Sequence, residues 1–177
     1  MPWSRWSGHF SWFGNRPVAK KPVVTQAIRV LRQADVTYSA HVFDHERHPG
    51  AEGAARALGL DVHQTAKTIV FTTDDGGGAV VLMHGDLEIS TKKLARVMRV
   101  KSVRPATQRE ADRVTGYRFG GTSPLGMRSA PPVFAQESLL GLNTVYVNGG
   151  RRGFLIGIAP GTLIEITRAI VGDVAVD

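Results

Sequence analysis

The stretch Thr68–Met83, with the sequence TIVFTTDDGGGAVVLM, decides the fold class of this chain of 177 residues. It consists of two largely apolar runs separated by two aspartates and three glycines. β-Branched and aromatic residues favour strands, whereas Asp and Gly favour the tight turn of a hairpin. The stretch therefore predicts an antiparallel β-hairpin with strands at 68–73 and 79–83 and a turn at 74–78.

Shorter strands and helices surround this hairpin. The same criteria predict strands at 38–43, 132–135, 144–147, a strand that ends at Ile158, and a short one at 174–176. Helices are predicted after the N-cap Thr25, at 51–58, from Ser90 or Thr91 to Met98, from a capping box at Thr107 to Gly116, and from Pro160. Because strands outnumber long helices, we expect an α+β fold with a mostly antiparallel, curved or barrel-like sheet and helices packed outside.

Residues 1–22 differ in composition from the rest of the chain. They contain all three tryptophans among Ser and Gly residues, and Pro17 and Pro22 close the segment. Polar residues interrupt the apolar ones too often for the continuous apolar core of a signal peptide. We therefore interpret 1–22 as an N-terminal extension that is not essential, and 23–177 as one domain.

The composition excludes several kinds of chemistry. The chain has no cysteine, which excludes disulfides, thiolate metal ligands and a protein thiol nucleophile. It has no run of about 18 apolar residues, so no association with a membrane is expected. These features fit a cytoplasmic protein, and they leave its oligomeric state open.

The formal net charge is +7, and basic residues are concentrated in one region. Residues 92–128 contain ten Lys or Arg but only two acids, Glu110 and Asp112. Such a stretch suits a polyanion such as RNA. Its candidates for contacts with a nucleic-acid backbone are Lys92, Lys93, Arg96 and Arg128. Solvated helix faces are the alternative explanation of the same charges.

The segment 120–126, with the sequence GGTSPLG, is the most unusual loop of the chain. The paired glycines Gly120 and Gly121 allow the backbone to approach a ligand closely and to expose N–H donors. Such donors stabilise a carbonyl oxygen as it becomes an oxyanion. A plain surface turn is the alternative interpretation.

Lys67 immediately precedes the apolar run 69–71, so we expect it at the entrance of a strand. A lysine in that position can reach a phosphate or polarise an ester carbonyl. The alternative is an ordinary solvated lysine.

The remaining polar residues give weaker signals. His41, His45 and His48 have a helix-like spacing, but His41 falls in a predicted strand and Pro49 follows His48. No zinc motif is present, and we expect no metal. Ser123 lacks the G-x-S-x-G elbow of serine hydrolases, so the residues alone do not assign it a nucleophilic role.

Several motifs, taken in order, are similar to those of a known family. They are 66–70 (AKTIV), 116–126 (GYRFGGTSPLG), 145–153 (VYVNGGRRG) and 158–160 (IAP), with 25–28 (TQAI) before them. On these motifs the chain resembles the YbaK/EbsC family from about Thr25 to its C-terminus. The resemblance implies a free-standing relative of the editing domain of bacterial prolyl-tRNA synthetases, with no cofactor.

The resemblance also implies a function. It points to a trans-editing deacylase that removes cysteine from mis-charged Cys-tRNA(Pro), and also from Cys-tRNA(Cys), with prolyl-tRNA synthetase as a partner. In the mechanism that it implies, the thiol of the esterified cysteine attacks its own carbonyl and leaves as a thiolactone. Two other functions stay open, a deacylase for alanine or serine and a non-catalytic module that binds RNA or a synthetase.

Residue roles follow from the same resemblance. The lysine of the family falls on Lys67 and its glycine-rich loop on 120–124, so Lys67, Gly120 and Gly121 are the implied catalytic residues. The implied substrate-binding residues are Phe43, Tyr117, Thr122, Ser123, Pro124, Leu155 and Thr162. Phe43 stands where the family often has Tyr, and Leu155 and Thr162 occupy two polar positions. These departures predict a more apolar pocket.

Overall fold

The structure is a computed structural model that describes residues 23–177. The extension 1–22 lies outside the described residues, so its dispensability stays a prediction. No helix in the described part of the chain is long and apolar enough to cross a membrane.

Helices and strands alternate along the described chain. The helices are α1 (Gln26–Gln33), α2 (Gly50–Leu58), α3 (Thr91–Met98), α4 (Gln108–Thr115) and α5 (Pro160–Thr167), with short 3-10 turns at Val62–Gln64 and Glu137–Gly141. The strands are β1 (Ser39–Val42), β2 (Lys67–Thr73), β3 (Gly78–Met83), β4 (Val103–Pro105), β5 (Val133–Gln136), β6 (Val145–Asn148), β7 (Phe154–Ile158) and β8 (Ile170–Gly172). The described residues thus form a single α+β domain, as predicted.

The strands form two sheets. The larger sheet has the order β4-β2-β3-β5-β8, and the smaller one has the order β1-β7-β6. All pairs are antiparallel except β3 with β5 and β5 with β8. The prediction of mostly antiparallel pairing is confirmed, but that of one barrel-like sheet is wrong, because the described strands form two open sheets. The crossover from β3 through α3 and α4 brings β5 in parallel, which hairpin patterns do not reveal.

Local sequence signals located most elements correctly. The hairpin β2–β3 runs in register from Lys67 opposite Met83 to Thr72 opposite Gly78. Thr25 caps α1 by accepting a hydrogen bond from the Ile28 N–H. The capping box of Thr107 and Glu110 opens α4, and Pro160 occupies the first turn of α5.

The end of the chain differs from its prediction. The closing strand β8 lies at Ile170–Gly172 and not at 174–176, where Ala175 forms only a single bridge to Ile89. Gln136 explains this arrangement, because its side-chain oxygen accepts hydrogen bonds from the N–H groups of Val174 and Ala175. A side chain thereby takes the place of a strand partner.

The larger sheet has an apolar core on each face. Val70, Val80 and Leu82 belong to the first core, together with residues of α1, α5 and the smaller sheet. Phe71 and Val81 belong to the second core, which packs against α3. This division follows from the alternation of side chains along β2 and β3.

The two sheets meet at the entrance of β2. Thr65 forms a parallel bridge with Tyr146 of β6, and the Ala66 N–H donates a hydrogen bond of 2.8 Å to the Tyr146 carbonyl oxygen. The chain then passes directly into β2 of the larger sheet. This junction fixes the position of Lys67 and of the residues that follow it.

Candidate active site

A cleft of about 630 Å³ lies at the junction of the two sheets. Its walls come from residues 65–70, Pro105 and Ala106, the start of α2, the loop 119–122, and the β6–β7 region. Five of the residues that the sequence singled out line it: Phe43, Lys67, Gly120, Thr122 and Leu155. The cleft therefore brings together residues that are up to 112 positions apart, from 43 to 155.

Lys67 is the first residue of β2 and is partly buried. Its Nζ atom donates a hydrogen bond of 2.6 Å to the carbonyl oxygen of Leu87, in the loop after β3. An ammonium group has three N–H donors, so this bond leaves two for another acceptor. Leu87 thus orients the ammonium of a lysine that lines the cleft, and two N–H donors of that ammonium stay available.

The glycine-rich loop is held by contacts to three other elements. The Asn148 side chain donates to the Gly120 carbonyl oxygen at 3.2 Å, and Arg152 Nε donates to the Phe119 carbonyl oxygen at 3.0 Å. Asp112 of α4 accepts from the Phe119 N–H at 2.9 Å. Gly120 has a φ of 82°, a left-handed conformation that glycine adopts without strain. These contacts fix the loop over the cleft.

The N–H groups of the loop differ in their availability. The Gly121 N–H donates to the Arg118 carbonyl oxygen at 2.8 Å, so a turn already uses it. A Cβ atom at Gly121 would lie 3.0 Å from the backbone of Arg151 and Arg152, which explains why glycine fits there. In contrast, the N–H groups of Gly120 and Thr122 make no hydrogen bond to residues 23–177. Of the two predicted oxyanion donors, only Gly120 lines the cleft and has an N–H without a hydrogen bond to residues 23–177.

Tyr117, Ser123 and Pro124 are buried and do not line the cleft. The Tyr117 hydroxyl donates a hydrogen bond of 2.6 Å to the Leu125 carbonyl oxygen. Burial raises the pKa of Tyr117 to about 12, so the group stays a neutral donor. Ser123 is fully buried, and its Oγ accepts from the Leu125 N–H at 3.3 Å. These side chains set the shape of the loop.

Phe43 and Leu155 form an apolar wall. The Phe43 N–H donates to the Gly153 carbonyl oxygen at 2.9 Å, which extends the pairing of β1 with β7. Leu155 is only 4% exposed. Thr162 lies in the first half of α5, outside the cleft lining.

Sequence reasoning did not single out several cleft residues as site residues: His45, Glu46, Thr68, Phe119, Asn148 and Arg152. Phe119, Asn148 and Arg152 belong to motifs that carried the resemblance, which was the available signal. Thr68 has the only buried side-chain oxygen in the described part of the chain that lacks a hydrogen-bond partner. Such an atom calls for an explanation, because native proteins rarely leave one unpaired.

One border of the cleft carries an aromatic and a basic residue, Phe119 and Arg152. Phe119 is 57% exposed, and Arg152 donates to its carbonyl oxygen. Arg118 precedes Phe119 in the sequence, and Arg151 precedes Arg152 on the β6–β7 turn. None of these arginines forms an ion pair within residues 23–177. We call these four residues the arginine rim.

The basic candidates from the sequence do not line the cleft. Lys92, Lys93 and Arg96 are on α3. This helix packs against the second core, on the face of the larger sheet opposite the first core. Lys93 is held by Asp173 at 2.8 Å and Asp177 at 2.5 Å, and these hydrogen bonds raise its pKa. Arg128 packs over Gly116 at the end of α4. The cleft therefore brings none of the four together.

A cluster of His63, His84 and Asp86 places three potential metal-ligand atoms within 4.8 Å of one another. His84 uses both ring nitrogens, Nδ1 toward the His63 carbonyl oxygen and Nε2 toward Ser138 Oγ. The two imidazole rings are stacked, 3.7 Å apart, so their in-plane lone pairs do not converge on one point. This arrangement is that of a packed hydrogen-bond cluster, and the three residues lie outside the cleft lining.

Comparisons with known proteins agree on one family. Residues 45–166 match the aminoacyl-tRNA editing domain. A relative from Enterococcus faecalis, named "Putative Cys-tRNA(Pro)/Cys-tRNA(Cys) deacylase EbsC", is 32% identical over 144 residues, which cover 81% of this chain and 88% of the relative. A proline–tRNA ligase from Streptococcus thermophilus is 25% identical over 162 residues, covering 86% of this chain but only 25% of the ligase.

Solved structures support the same conclusion. The structure described as "a putative trans-editing enzyme for prolyl tRNA synthetase" superposes with a TM-score of 0.76 at 27% identity, covering 88% of this chain and all of that one. The fold and the cleft thus define an editing domain of the kind that acts on aminoacyl-tRNA. This chain belongs to the aminoacyl-tRNA editing family, whose YbaK branch its motifs resemble.

Proposed function

We propose that the chain is a trans-acting deacylase that cleaves the ester of mis-charged Cys-tRNA(Pro). The observation that carries this proposal is a cleft with an apolar wall, a positioned lysine and a free backbone donor, which Phe119 and Arg152 of the arginine rim border. An amino-acid side chain fits the apolar part, and a polyanionic RNA end fits the rim.

The rim suits the single-stranded 3′ end of a tRNA. An exposed aromatic ring such as Phe119 offers a face on which a base can stack. The guanidinium groups of Arg118, Arg151 and Arg152 form no ion pair within residues 23–177, and such groups can bind a phosphate through two parallel hydrogen bonds. An RNA end held there places its aminoacyl ester over the cleft.

The cleft supplies positioning and charge stabilisation. The free N–H of Gly120 and the two remaining donors of Lys67 are suited to the ester carbonyl as negative charge develops on its oxygen. The hydroxyl of Ser123 is fully buried beneath the loop, and the chain has no cysteine. A nucleophile carried by the substrate fits this arrangement.

In the proposed reaction the substrate thiol attacks its own carbonyl carbon. A sulfur–carbon bond forms, the ester carbon–oxygen bond breaks, and the thiol proton ends on the ribose hydroxyl. The products are a thiolactone and uncharged tRNA. Serine carries a poorer oxygen nucleophile of nearly the same size, so we expect its ester to be cleaved far more slowly.

The test is a comparison of Cys-tRNA(Pro) and Ser-tRNA(Pro) with the full chain, combined with chemical trapping of the first product. We expect fast release from Cys-tRNA(Pro) and a trapped thiolactone. Comparable rates, or free cysteine as the first product, would show that a water molecule and not the substrate thiol is the nucleophile. If neither ester is cleaved, the result would favour the alternative function, a non-catalytic module that binds RNA or a synthetase.

A second candidate substrate is Ala-tRNA(Pro). The apolar wall of Phe43 and Leu155 favours it, because a methyl side chain needs no polar partner. A faster rate for Ala-tRNA(Pro) than for Cys-tRNA(Pro) would establish this alternative. We further propose prolyl-tRNA synthetase as the partner in either case, since the streptococcal ligase contains a matching segment within its own chain.

A further inference from the structure

Strand β2 changes partners along one edge. At one end the Ala66 N–H donates to the Tyr146 carbonyl oxygen of β6 at 2.8 Å. At the other end the Ala106 N–H donates to the Val70 carbonyl oxygen at 2.9 Å, and β4 then pairs with residues 71–73. Between these two bonds no described strand pairs with this edge. The opening is centred on Thr68.

The main-chain groups of Thr68 point into this opening. In a strand the N–H and C=O of one residue face the same side, and every second residue faces that side. Thr68 is therefore in step with Ala66 and Val70, whose bonds run to β6 and to Ala106. Its own N–H and C=O turn away from β3, and the structure shows no partner for them within residues 23–177.

The cleft lies along this opening. It is lined by every residue from 65 to 70, although the side chains of these residues alternate between the two faces of the sheet. Consecutive residues can all line one cavity only where the cavity touches the edge of the strand. The unpaired groups of Thr68 thus face the cleft.

The opening is one residue long. A residue that joins a β-ladder offers one donor and one acceptor to the residue opposite. An aminoacyl ester offers the same pair, an α-ammonium donor and a carbonyl oxygen acceptor. A longer peptide does not fit, because Tyr146 and Ala106 close the edge on both sides.

We propose that the main chain of Thr68 binds the α-ammonium and the ester carbonyl of the substrate as if the amino acid were one residue of an added strand. This inference rests on the proposed deacylase function. The Thr68 carbonyl oxygen accepts from the α-ammonium, and the Thr68 N–H donates to the ester carbonyl oxygen. The same N–H then stabilises the oxyanion together with Gly120.

The first arm of the test removes the α-amino group from the substrate. Wild-type protein is assayed with Cys-tRNA(Pro) and with 3-mercaptopropionyl-tRNA(Pro), which keeps the thiol and the ester. Ala-tRNA(Pro) and propionyl-tRNA(Pro) form a second pair without a thiol. Each rate is divided by the uncatalysed rate in the same buffer, because an α-ammonium activates an ester by itself. For each aminoacyl ester that the protein cleaves, we expect the rate enhancement to be at least about tenfold lower with the analogue that lacks the α-amino group.

The second arm removes one hydrogen-bond donor, the Thr68 N–H, from the protein. Incorporation of the α-hydroxy analogue of threonine at position 68 replaces the N–H by an ester oxygen and keeps the side chain. The same exchange at Thr37, an exposed loop residue outside the cleft, is the matched control. We expect kcat/KM to fall about tenfold or more at position 68 and to stay unchanged at position 37, with little change in Tm at either position.

The outcomes separate the inference from the function on which it rests. If the wild-type protein cleaves none of the aminoacyl-tRNAs, the proposed function is wrong. If it cleaves them but either the amino-free analogues or the position-68 variant retain the full enhancement, the main-chain binding mode is wrong. Loss in both arms, with a silent control at Thr37, supports it.

Discussion

The Nζ atom of Lys67 lies 2.6 Å from the carbonyl oxygen of Leu87, so the lysine at the entrance of β2 is tied to the loop that follows β3. This bond orients the ammonium without using all of its donors. A lysine that served only to bind Leu87 would contribute to stability and not to turnover. The two roles are separable by experiment.

We expect Lys67→Ala to lower kcat/KM by about 13- to 160-fold, because a charge-assisted hydrogen bond contributes roughly 1.5–3 kcal/mol. The apparent Tm should change little, since Lys67 is only partly buried. Single-turnover deacylation and thermal melting give the two numbers, and Lys101→Ala, at an exposed position, is the control. Wild-type kinetics in the Lys67 variant would remove this residue from the mechanism.

The arginine rim leads to a prediction about the salt dependence of tRNA binding. Replacing Arg118 or Arg151 by Gln should weaken tRNA binding and lower the slope of log affinity against log salt by about 0.7 for each lost single-strand phosphate contact. The same loss should appear with a short acceptor-stem RNA, because the rim is expected to contact the 3′ end. An unchanged slope would show that the rim does not bind phosphates.

The exposed basic side chains of α3 lead to a different prediction. Lys92 and Arg96 lie on the far face of the larger sheet, so they are candidates for contacts with a more distant part of the tRNA. Lys92→Gln or Arg96→Gln should therefore lower the salt slope for full-length tRNA by about 0.9 for each lost duplex contact, and leave the acceptor-stem RNA unaffected. Equal effects on both RNAs would place α3 near the 3′ end instead.

Thr68→Val should stabilise the protein. The Thr68 hydroxyl is buried without a hydrogen-bond partner among residues 23–177. A buried unpaired polar group costs about 1–3 kcal/mol, so valine of nearly the same shape should raise the free energy of unfolding by about 1 kcal/mol. Urea denaturation measures this change. Thr68→Ser, which keeps the hydroxyl and removes a methyl group, should not be stabilised. A destabilised valine variant would show that the hydroxyl has a partner after all.

His84 makes stability depend on pH. Burial lowers its pKa below the usual value of 6.5, so the folded protein takes up a proton on this ring less readily than the unfolded chain does. As the pH falls below about 6.5, the unfolded chain takes up a proton that the folded chain does not. The contribution of His84 to the free energy of unfolding should therefore be constant above this pH and decrease below it, with a slope that does not exceed about 1.4 kcal/mol per pH unit.

Urea denaturation at pH 8, 7, 6 and 5 measures this slope, and His84→Gln should flatten it. The nearby Asp86 titrates in another window: although burial opposes it, the hydrogen bond from His63 holds its pKa below 3.8. The stability contributed by Asp86 is therefore lost only below that pH. A slope between pH 6.5 and 5 that persists in His84→Gln would assign it to another group.

Local signals explain how much of the fold the sequence predicted. The caps at Thr25 and Thr107 and the β2–β3 hairpin depend on residues within a few positions of one another, so their patterns are visible in one dimension. The order of the strands depends on contacts between distant segments, such as β3 with β5. Alternation of apolar residues does not specify which strands pair, and the two open sheets were therefore not predicted.

The candidate site shows the same division. Lys67 and Gly120 were predicted because each interrupts the local pattern, one as a charge before an apolar run and the other in a paired glycine. Arg152 and Asn148 enter the cleft only because the β6–β7 turn folds against the loop at 119–122. The use of the Gly121 N–H by Arg118 is a detail of turn geometry that the sequence does not express.

The opening in the edge of β2 has a consequence for solubility. Unpaired strand edges invite pairing with other molecules and lead to aggregation. Here the exposed edge is one residue long, lies inside a concave cleft, and is closed at its ends by Tyr146 and Ala106. A strand from a second molecule would find only one residue to pair with. The chain thus keeps main-chain donors and acceptors open to a small molecule while its own copies are excluded by shape.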